Sequence, residues 1–158
     1  MPADAPLDRV DRQILRRLQQ DGRLPIAQLA RDIHLSVTAC KERVRHLEKR
    51  GIIRGYHAEL DAAKLGYALL AFIEVHLDRT TPDVFERFKL AMQSSDEVLE
   101  CHMVAGGFDY LVKVRVRDMN AYRRFLGENL ARIRGVMQTH TYVVMEEVKA
   151  TPFVAPME

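Results

Sequence analysis

The spacing of apolar residues changes character once along this chain, and that change sets the kind of folding units it can make. Up to about residue 60, apolar side chains recur every three to four positions; from about residue 70 they recur every second position. The first period belongs to helices with one buried face and the second to half-buried strands. A chain of 158 residues carrying both textures in that order is expected to be α+β, built as two small units.

Three helices are expected in the first unit. In residues 8–20, Val10, Ile14, Leu15 and Leu18 share one face, Asp8 precedes the run as a cap, and Asp21-Gly22 ends it. A second helix starts at Pro25 and buries Ile26, Leu29, Ala30 and Ile33. After the break His34-Leu35, Ser36 is a good cap for a third helix that runs to about Arg50 and stops at Gly51. On that helix Val37, Cys40, Val44 and Leu47 form the core side, while Thr38, Glu42, Arg45 and Lys49 face away with Lys41 beside them. Three short helices with a tight break before the last make a helix-turn-helix, in preference to an anonymous helical bundle. Ile52, Ile53, Arg54 and Tyr56 read as a short extended wing, closing a domain over residues 1–60.

Charge supports a nucleic-acid partner for this half. Residues 1–60 hold 12 Lys and Arg against 8 Asp and Glu, whereas residues 61–158 hold 12 against 14, so a net charge of +2 conceals an asymmetry. The excess concentrates on Lys41, Arg43, Arg45, Lys49, Arg50 and Arg54, a footprint suited to phosphate.

Residues 61–69 are expected to be a hinge, followed by an effector and oligomerisation domain over 70–158. Its strands are read at 71–77, 98–105, 110–117 and from Gly135 through Met145; Gly106-Gly107 marks a turn. Helices are read at 82–94, with Phe85, Phe88 and Met92 inward, and after Asp118, with Met119, Tyr122, Leu126 and Leu130 inward. The order βαββαβ is that of a ferredoxin-like fold, whose open sheet face invites self-association.

Other classes are disfavoured. At 47% hydrophobic and 29% charged residues the composition is that of a globular chain. No apolar run approaches a membrane span, and the opening MPADAPLDRVDRQ lacks the apolar core of a signal peptide, so a cytoplasmic protein with no membrane partner is expected. Cys40 and Cys101 make neither a metal spacing nor a disulfide framework, and Cys40 faces inward as a small core residue. The six His are scattered, and Cys101 and His102 would point to opposite faces of a strand. With no nucleophile elbow, phosphate loop or zinc helix motif, neither an enzyme, a metal site nor a cofactor is expected.

Longer blocks carry a family resemblance. The N-terminal half reads LDRVDRQILRRLQQDGR and, after the break, LS-x-T-x-C-x-ERVRHLEKRGII-x-GY. The C-terminal half reads PDVFERF, ECHMVAGGFDYLVK, DMNAYRRFLGE and TYVVMEEVK. In these blocks the chain resembles the Lrp/AsnC (feast/famine) family of bacterial regulators of amino-acid metabolism, nearest its leucine-responsive branch, over roughly residues 7–149. Two departures stand out: His34 replaces the usual Gly before Leu-Ser and so is expected in the left-handed conformation, and Pro25 stands where a capping Ser is common.

The resemblance implies a winged-helix DNA-binding domain hinged to a ferredoxin-like effector domain, homodimers that assemble further, commonly to an octamer, and DNA bent around them. On double-stranded DNA the candidate contacts are Ser36, Thr38, Lys41, Glu42 and Arg45. Ser36 and the first-turn amides suit phosphate, Thr38 a base edge, and Lys41 and Arg45 either phosphate or guanine. Glu42 reads cytosine or only orients Arg45. For a small amino-acid effector, the loop Ala105-Gly106-Gly107-Phe108-Asp109 offers backbone donors to a carboxylate and Asp109 to an ammonium. The resemblance adds Met103, Met119, Thr139, Thr141, Val143 and Val144, near a ligand held between neighbouring dimers. Leucine is favoured, with alanine, proline or another small amino acid open. The alternative is an architectural protein that bends DNA without an effector.

Overall fold

The computed structural model describes residues 6–155; the outer ends of the two expected domains, 1–5 and 156–158, lie outside the described residues. The chain divides into two units, one formed by the chain up to residue 59 together with the segment from residue 150, the other by residues 60–149.

The first unit contains α1 (Arg9–Gln20), α2 (Ile26–Asp32) and α3 (Val37–Lys49). Asp8 and Asp11 cap α1 reciprocally, each carboxylate accepting the other's backbone N–H. Both carboxylates also bind Arg43 of α3, at 2.6 and 2.8 Å, and Arg17 of α1 meets Asp32 of α2 at 2.7 Å. Ile14, Leu29, Ala30, Ile33, Cys40, Val44 and Leu47 form the shared core. Pro25 stands at the α2 N-cap without a side-chain cap bond.

Both helix ends that shape the turn close the same way. After α3, Gly51 adopts φ +69°, with Gly51 N–H bonded to Glu48 O and Ile52 N–H to Leu47 O. After α2, His34 adopts φ 58°, with His34 N–H bonded to Arg31 O and Leu35 N–H to Ala30 O. Each is a Schellman closure, in which the left-handed residue is usually glycine. Beyond α3, Ile52 and Ile53 fold back onto the helical core, and no strand forms over residues 51–60 among the described residues. The expected wing is therefore an unpaired extension whose first residues serve to cap α3. The segment from Ala150 also belongs to this unit: the Gln19 side-chain amide pairs with both the N–H and the C=O of Val154, at 2.8 Å each.

The second unit contains β1 (Leu69–Leu77), α4 (Pro82–Gln93), β2 (Val98–Met103), β3 (Tyr110–Val116), α5 (Met119–Arg124), a π turn (Phe125–Leu130) and β4 (Val136–Val143). Residues 61–69 belong to this unit and open with a turn in which Asp61 accepts the Lys64 N–H. The sheet order is β2-β3-β1-β4, every pair antiparallel, which is the ferredoxin-like arrangement. Ala71, Ile73, Val75 and Leu77 of β1 and Tyr110, Val112, Val114 and Val116 of β3 point to the helical side. There they bury Val84, Phe88 and Met92 of α4, together with Tyr122, Phe125 and Leu130. The other face is partly exposed and mixes Phe72, Leu111 and Tyr142 with Glu74, Lys113 and Arg115.

The inner stripe of the last helix agrees with the sequence at Tyr122 and Leu130, which are buried, and differs at its other two positions. Met119, the first residue of α5, is 47% exposed. Leu126 is only half-buried, whereas Phe125 is buried, because the π turn, closed by Ala131 N–H to Leu126 O at 2.8 Å, breaks the 3.6-residue register. The strands expected at 98–105 and through Met145 end sooner, at Met103 and Val143.

Candidate functional site

On α3, Thr38, Lys41, Glu42, Arg45 and Lys49 form one exposed face, the sequence's outer side. Thr38 and Lys49 lie about 16 Å apart along the axis, a length that fits a major groove. Ser36 is the N-cap: its Oγ accepts the Ala39 N–H at 3.2 Å, a bond that does not use the N–H groups of Val37 and Thr38. Arg45 and Glu42 approach only to 3.8 Å and are exposed, a pair that contributes little to stability and leaves both groups available.

Two residues on this helix behave differently from the sequence reading. Arg43, counted with the basic patch, turns inward to Asp8 and Asp11; these hydrogen bonds raise its pKa, and the Asp11 N–H, followed by Arg43, lowers that of Asp8. It locks α3 to the start of α1. Val37, assigned to the core side, is 51% exposed. It stands in the first turn, outside the core cluster that Cys40 begins. A β-branched apolar side chain beside Thr38 suits a thymine methyl group. Periodicity hid Val37 because an angular pattern carries no information about where along a helix its neighbours stop. Cys40 is buried, which pushes its thiol pKa up, in keeping with a core role.

The glycine loop lies where β1 and β2 end and β3 and β4 begin. Val104 N–H bonds to Asp109 O and Asp109 N–H to Val75 O, both at 3.0 Å. The Asp109 Oδ2 accepts the Leu77 N–H at 2.8 Å, so one carboxylate oxygen ties the loop to β1. Phe108 lies edge-on to His76 at 6.4 Å. Gly106 and Gly107 are exposed, neither is left-handed, and a Cβ on either would meet nothing within 4 Å. Among the described residues no contact requires glycine at these two positions.

The remaining effector candidates are dispersed. Met103 ends β2 at one edge of the sheet, while Thr139, Thr141 and Val143 lie on β4 at the other. Thr139 pairs with Val75 near the glycine loop, but Val143 pairs with Ala71, about 13 Å further along β1. Met119 opens α5 and is exposed, Thr141 hydrogen-bonds to Tyr122, and Val144 N–H bonds to Leu70 O. Of these candidates Met103 lines a hollow of about 470 Å³ between α4 and β2. Cys101, which shares that cavity, is held up to about 11 by burial. Among the described residues there is no cluster able to hold a metal ion, and no helix is long and apolar enough to cross a membrane.

Comparison with known proteins agrees with both halves. Residues 7–54 match a winged helix-turn-helix DNA-binding model, and residues 70–154 match the Lrp/AsnC ligand binding domain. The chain is 55% identical over 143 residues to the leucine-responsive regulatory proteins of Escherichia coli and Salmonella typhimurium, covering 90% of this chain and 87% of each relative. A transcriptional regulator of Neisseria meningitidis, solved as an L-Met complex, superposes with a TM-score of 0.88 at 35% identity, covering 93% of this chain and 95% of the other. An AsnC family regulator of Agrobacterium tumefaciens gives 0.89 at 33%, covering 94% and 96%. A helix-turn-helix domain joined to a small antiparallel ligand-binding domain, matched by these regulators over nine-tenths of the chain, places it in the Lrp/AsnC family of DNA-binding transcriptional regulators.

Proposed function

We propose that this protein is a cytoplasmic regulator of amino-acid metabolism genes that binds double-stranded DNA through α3 and is gated by leucine or another aliphatic amino acid. Ser36, Thr38, Lys41, Glu42 and Arg45 make the DNA contacts, Arg45 and Lys41 supplying charge and Thr38 the base-edge contact. The effector's carboxylate takes the N–H groups of Gly106 and Gly107, and its ammonium takes the Asp109 oxygen not committed to Leu77. The observation that carries the effector reading is the open space at both glycines, which the chain's own fold leaves without a use. A ligand or a second copy approaching the backbone supplies one.

The spread of Met103, Met119, Thr139, Thr141, Val143 and Val144 over two edges of the sheet favours a site completed by another copy. Taken with the family resemblance, which implies it, this supports a homodimer that assembles further, to an octamer, with the effector between dimers. The match to a ligand-binding domain favours this reading over an effector-independent architectural DNA-bender. Calorimetry with each of the twenty amino acids, run beside sedimentation velocity and DNA gel shifts, tests it. An aliphatic amino acid is expected to bind and to change both assembly size and DNA affinity. Binding and assembly indifferent to every amino acid would transfer the case to the architectural reading.

A further inference from the structure

Two imidazole rings stand beside the glycine loop, and neither belongs to the candidate effector set. Glu74 and His76 of β1 share the open face of the sheet with Gln138, His140 and Tyr142 of β4. Glu74 stands opposite His140 and Gln138 opposite His76, and the two rings meet edge-on with their centres 5.9 Å apart. The Gln138 amide nitrogen lies 2.7 Å from His140 Nε2; with the amide donating, the ring accepts and carries no charge. β1 pairs with β3 as far as Val75 and Tyr110, so the next residues along, His76 and Asp109, stand across from each other. Asp109 clasps the backbone on both sides of His76, its N–H on Val75 O at 3.0 Å and its Oδ2 on the Leu77 N–H at 2.8 Å. Phe108 of the same loop lies against His76, ring centres 6.4 Å apart. Three further titratable groups belong to these strands. Tyr142 faces Glu74, whose charge holds the phenol's pKa up. Lys113 on β3 stands opposite Phe72 and pairs with Glu100 at 2.9 Å, and Asp78, just past β1, pairs with Arg79 at 3.8 Å.

We propose that protonated His76 competes with the effector's ammonium for Asp109, so that the glycine loop releases its amino acid as pH falls. This rests on the reading of Asp109 as the ammonium's acceptor and adds a regulator to that site. Histidine is the side chain that ordinarily gains a charge between pH 8 and pH 5. The two carboxylates of the cluster are divided between the rings, Glu74 opposite His140 and Asp109 opposite His76. An imidazolium at His76 brings N–H donors and a positive charge to the oxygen that the ammonium needs, and the two like charges exclude each other. His140 tunes the competition. Two cations whose ring centres are 5.9 Å apart repel, so a proton on one ring opposes a proton on the other and the pair titrates in coupled steps. A free amino acid keeps both its charges throughout this range, so the pH dependence belongs to the protein. By linkage, binding must then release the proton that His76 would otherwise hold.

The test is calorimetry on the full-length protein from pH 7.5 to pH 5.5, with leucine, methionine, alanine and proline as probes. At pH 6.5 each titration is repeated in buffers of different ionisation heat, which counts the protons released. In wild type, affinity for the amino acid that binds should fall roughly tenfold over this range, the loss of the neutral form of an ordinary histidine, with a fraction of a proton released per site. His76→Gln should abolish both the fall and the release. His140→Gln should move the fall to higher pH, because no second ring then opposes the proton on His76. Asp109→Asn should leave a weak affinity that no longer varies with pH. The inference is overturned, and the effector reading stands, if wild type and His76→Gln follow the same pH profile. It is also overturned if His76→Gln loses affinity equally at every pH, which makes the ring a packing residue of the loop. Silence of all four probes in wild type at every pH overturns the competition together with the aliphatic-effector reading on which it rests. Unchanged melting temperatures of His76→Gln and His140→Gln at pH 7.5 and pH 5.5 separate lost proton coupling from lost folding.

Discussion

His34→Gly should stabilise the helical unit, and the structure allows the amount to be worked out. His34 occupies the left-handed position of the α2 Schellman closure at φ 58°. Holding a residue with a Cβ there costs about 1–2 kcal/mol. Glycine removes that cost but brings a more flexible unfolded chain, a loss of about 0.5–1 kcal/mol. The His34 side chain is exposed, and the closure uses only backbone groups, His34 N–H to Arg31 O at 3.2 Å and Leu35 N–H to Ala30 O at 2.9 Å. Substitution therefore forfeits no packing, and the net gain should be about 0.5–1 kcal/mol. His34→Ala is the control, because it deletes the imidazole while keeping the Cβ. Thermal denaturation of the full-length variants, with hydrogen exchange at α2 and α3 amides to localise the change, measures both. Glycine should exceed alanine by about 1 kcal/mol. Equal stability of the two variants, or a loss with glycine, would refute the argument that this backbone conformation is what His34 strains.

Gly135→Ala should destabilise the second unit by about 3 kcal/mol or more, because a Cβ there lies 2.6 Å from Val84 Cγ1 and φ is +109°; chemical denaturation will show it. Arg43→Met should cost about 1 kcal/mol at neutral pH, a part-exposed pair doubled by its second carboxylate. The Asp8 pKa is lowered in the fold, so its stabilisation is present above about pH 4 and lost as pH falls through the folded value; the gap between wild type and Arg43→Met should narrow below pH 4 in an acid titration of stability. Arg45→Ala should weaken DNA binding by about 1–3 kcal/mol and flatten specificity at one position if it reads a base, or weaken all sequences alike if it holds phosphate; no change in a binding-site selection would remove α3 from the groove.

The parts of this fold that were legible in the sequence are those set by one local rule at a time. The caps Asp8, Ser36 and Asp118, the stop at Gly51 and the alternation of β1 and β3 all follow from groups within a few residues of each other, whereas the left-handed His34 was legible only through the family resemblance. Failures occur where the deciding partner is distant. Arg43 looked like a surface cation because Asp8 and Asp11 are more than thirty residues away in sequence. Leu126 was read as inward in place of the buried Phe125 because a π turn has no period of its own to read. The candidate effector residues were legible as a set only through family resemblance, since no single chain draws Met103, Met119 and Val143 into one pocket.

Asp109 is where fold and effector chemistry meet, and two substitutions should separate them. Its Oδ2 accepts the Leu77 N–H at 2.8 Å, while its backbone N–H bonds to Val75 O, so the residue fastens the loop to β1 whether or not a ligand is present. Asparagine retains a side-chain oxygen for Leu77 but presents an NH₂ where the ligand's ammonium needs an acceptor. Alanine loses both functions. Asp109→Asn should therefore keep its melting temperature within a degree or two of wild type, because the neutral hydrogen bond it retains is worth about 1 kcal/mol. Its amino-acid affinity should fall roughly tenfold to a hundredfold, the worth of one charge-assisted bond. Asp109→Ala should show the same loss of affinity and, in addition, about 1–2 kcal/mol less stability, because the half-buried Leu77 N–H loses its partner. Linkage then requires that ligand-induced changes in assembly and DNA affinity shrink with the lost binding, while DNA affinity without ligand stays at the wild-type level. Scanning calorimetry, ligand titration and gel shifts on the three proteins give the full set. If Asp109→Asn binds and responds as wild type does while Asp109→Ala is destabilised, the carboxylate serves only the backbone of β1, and the ammonium must be held elsewhere.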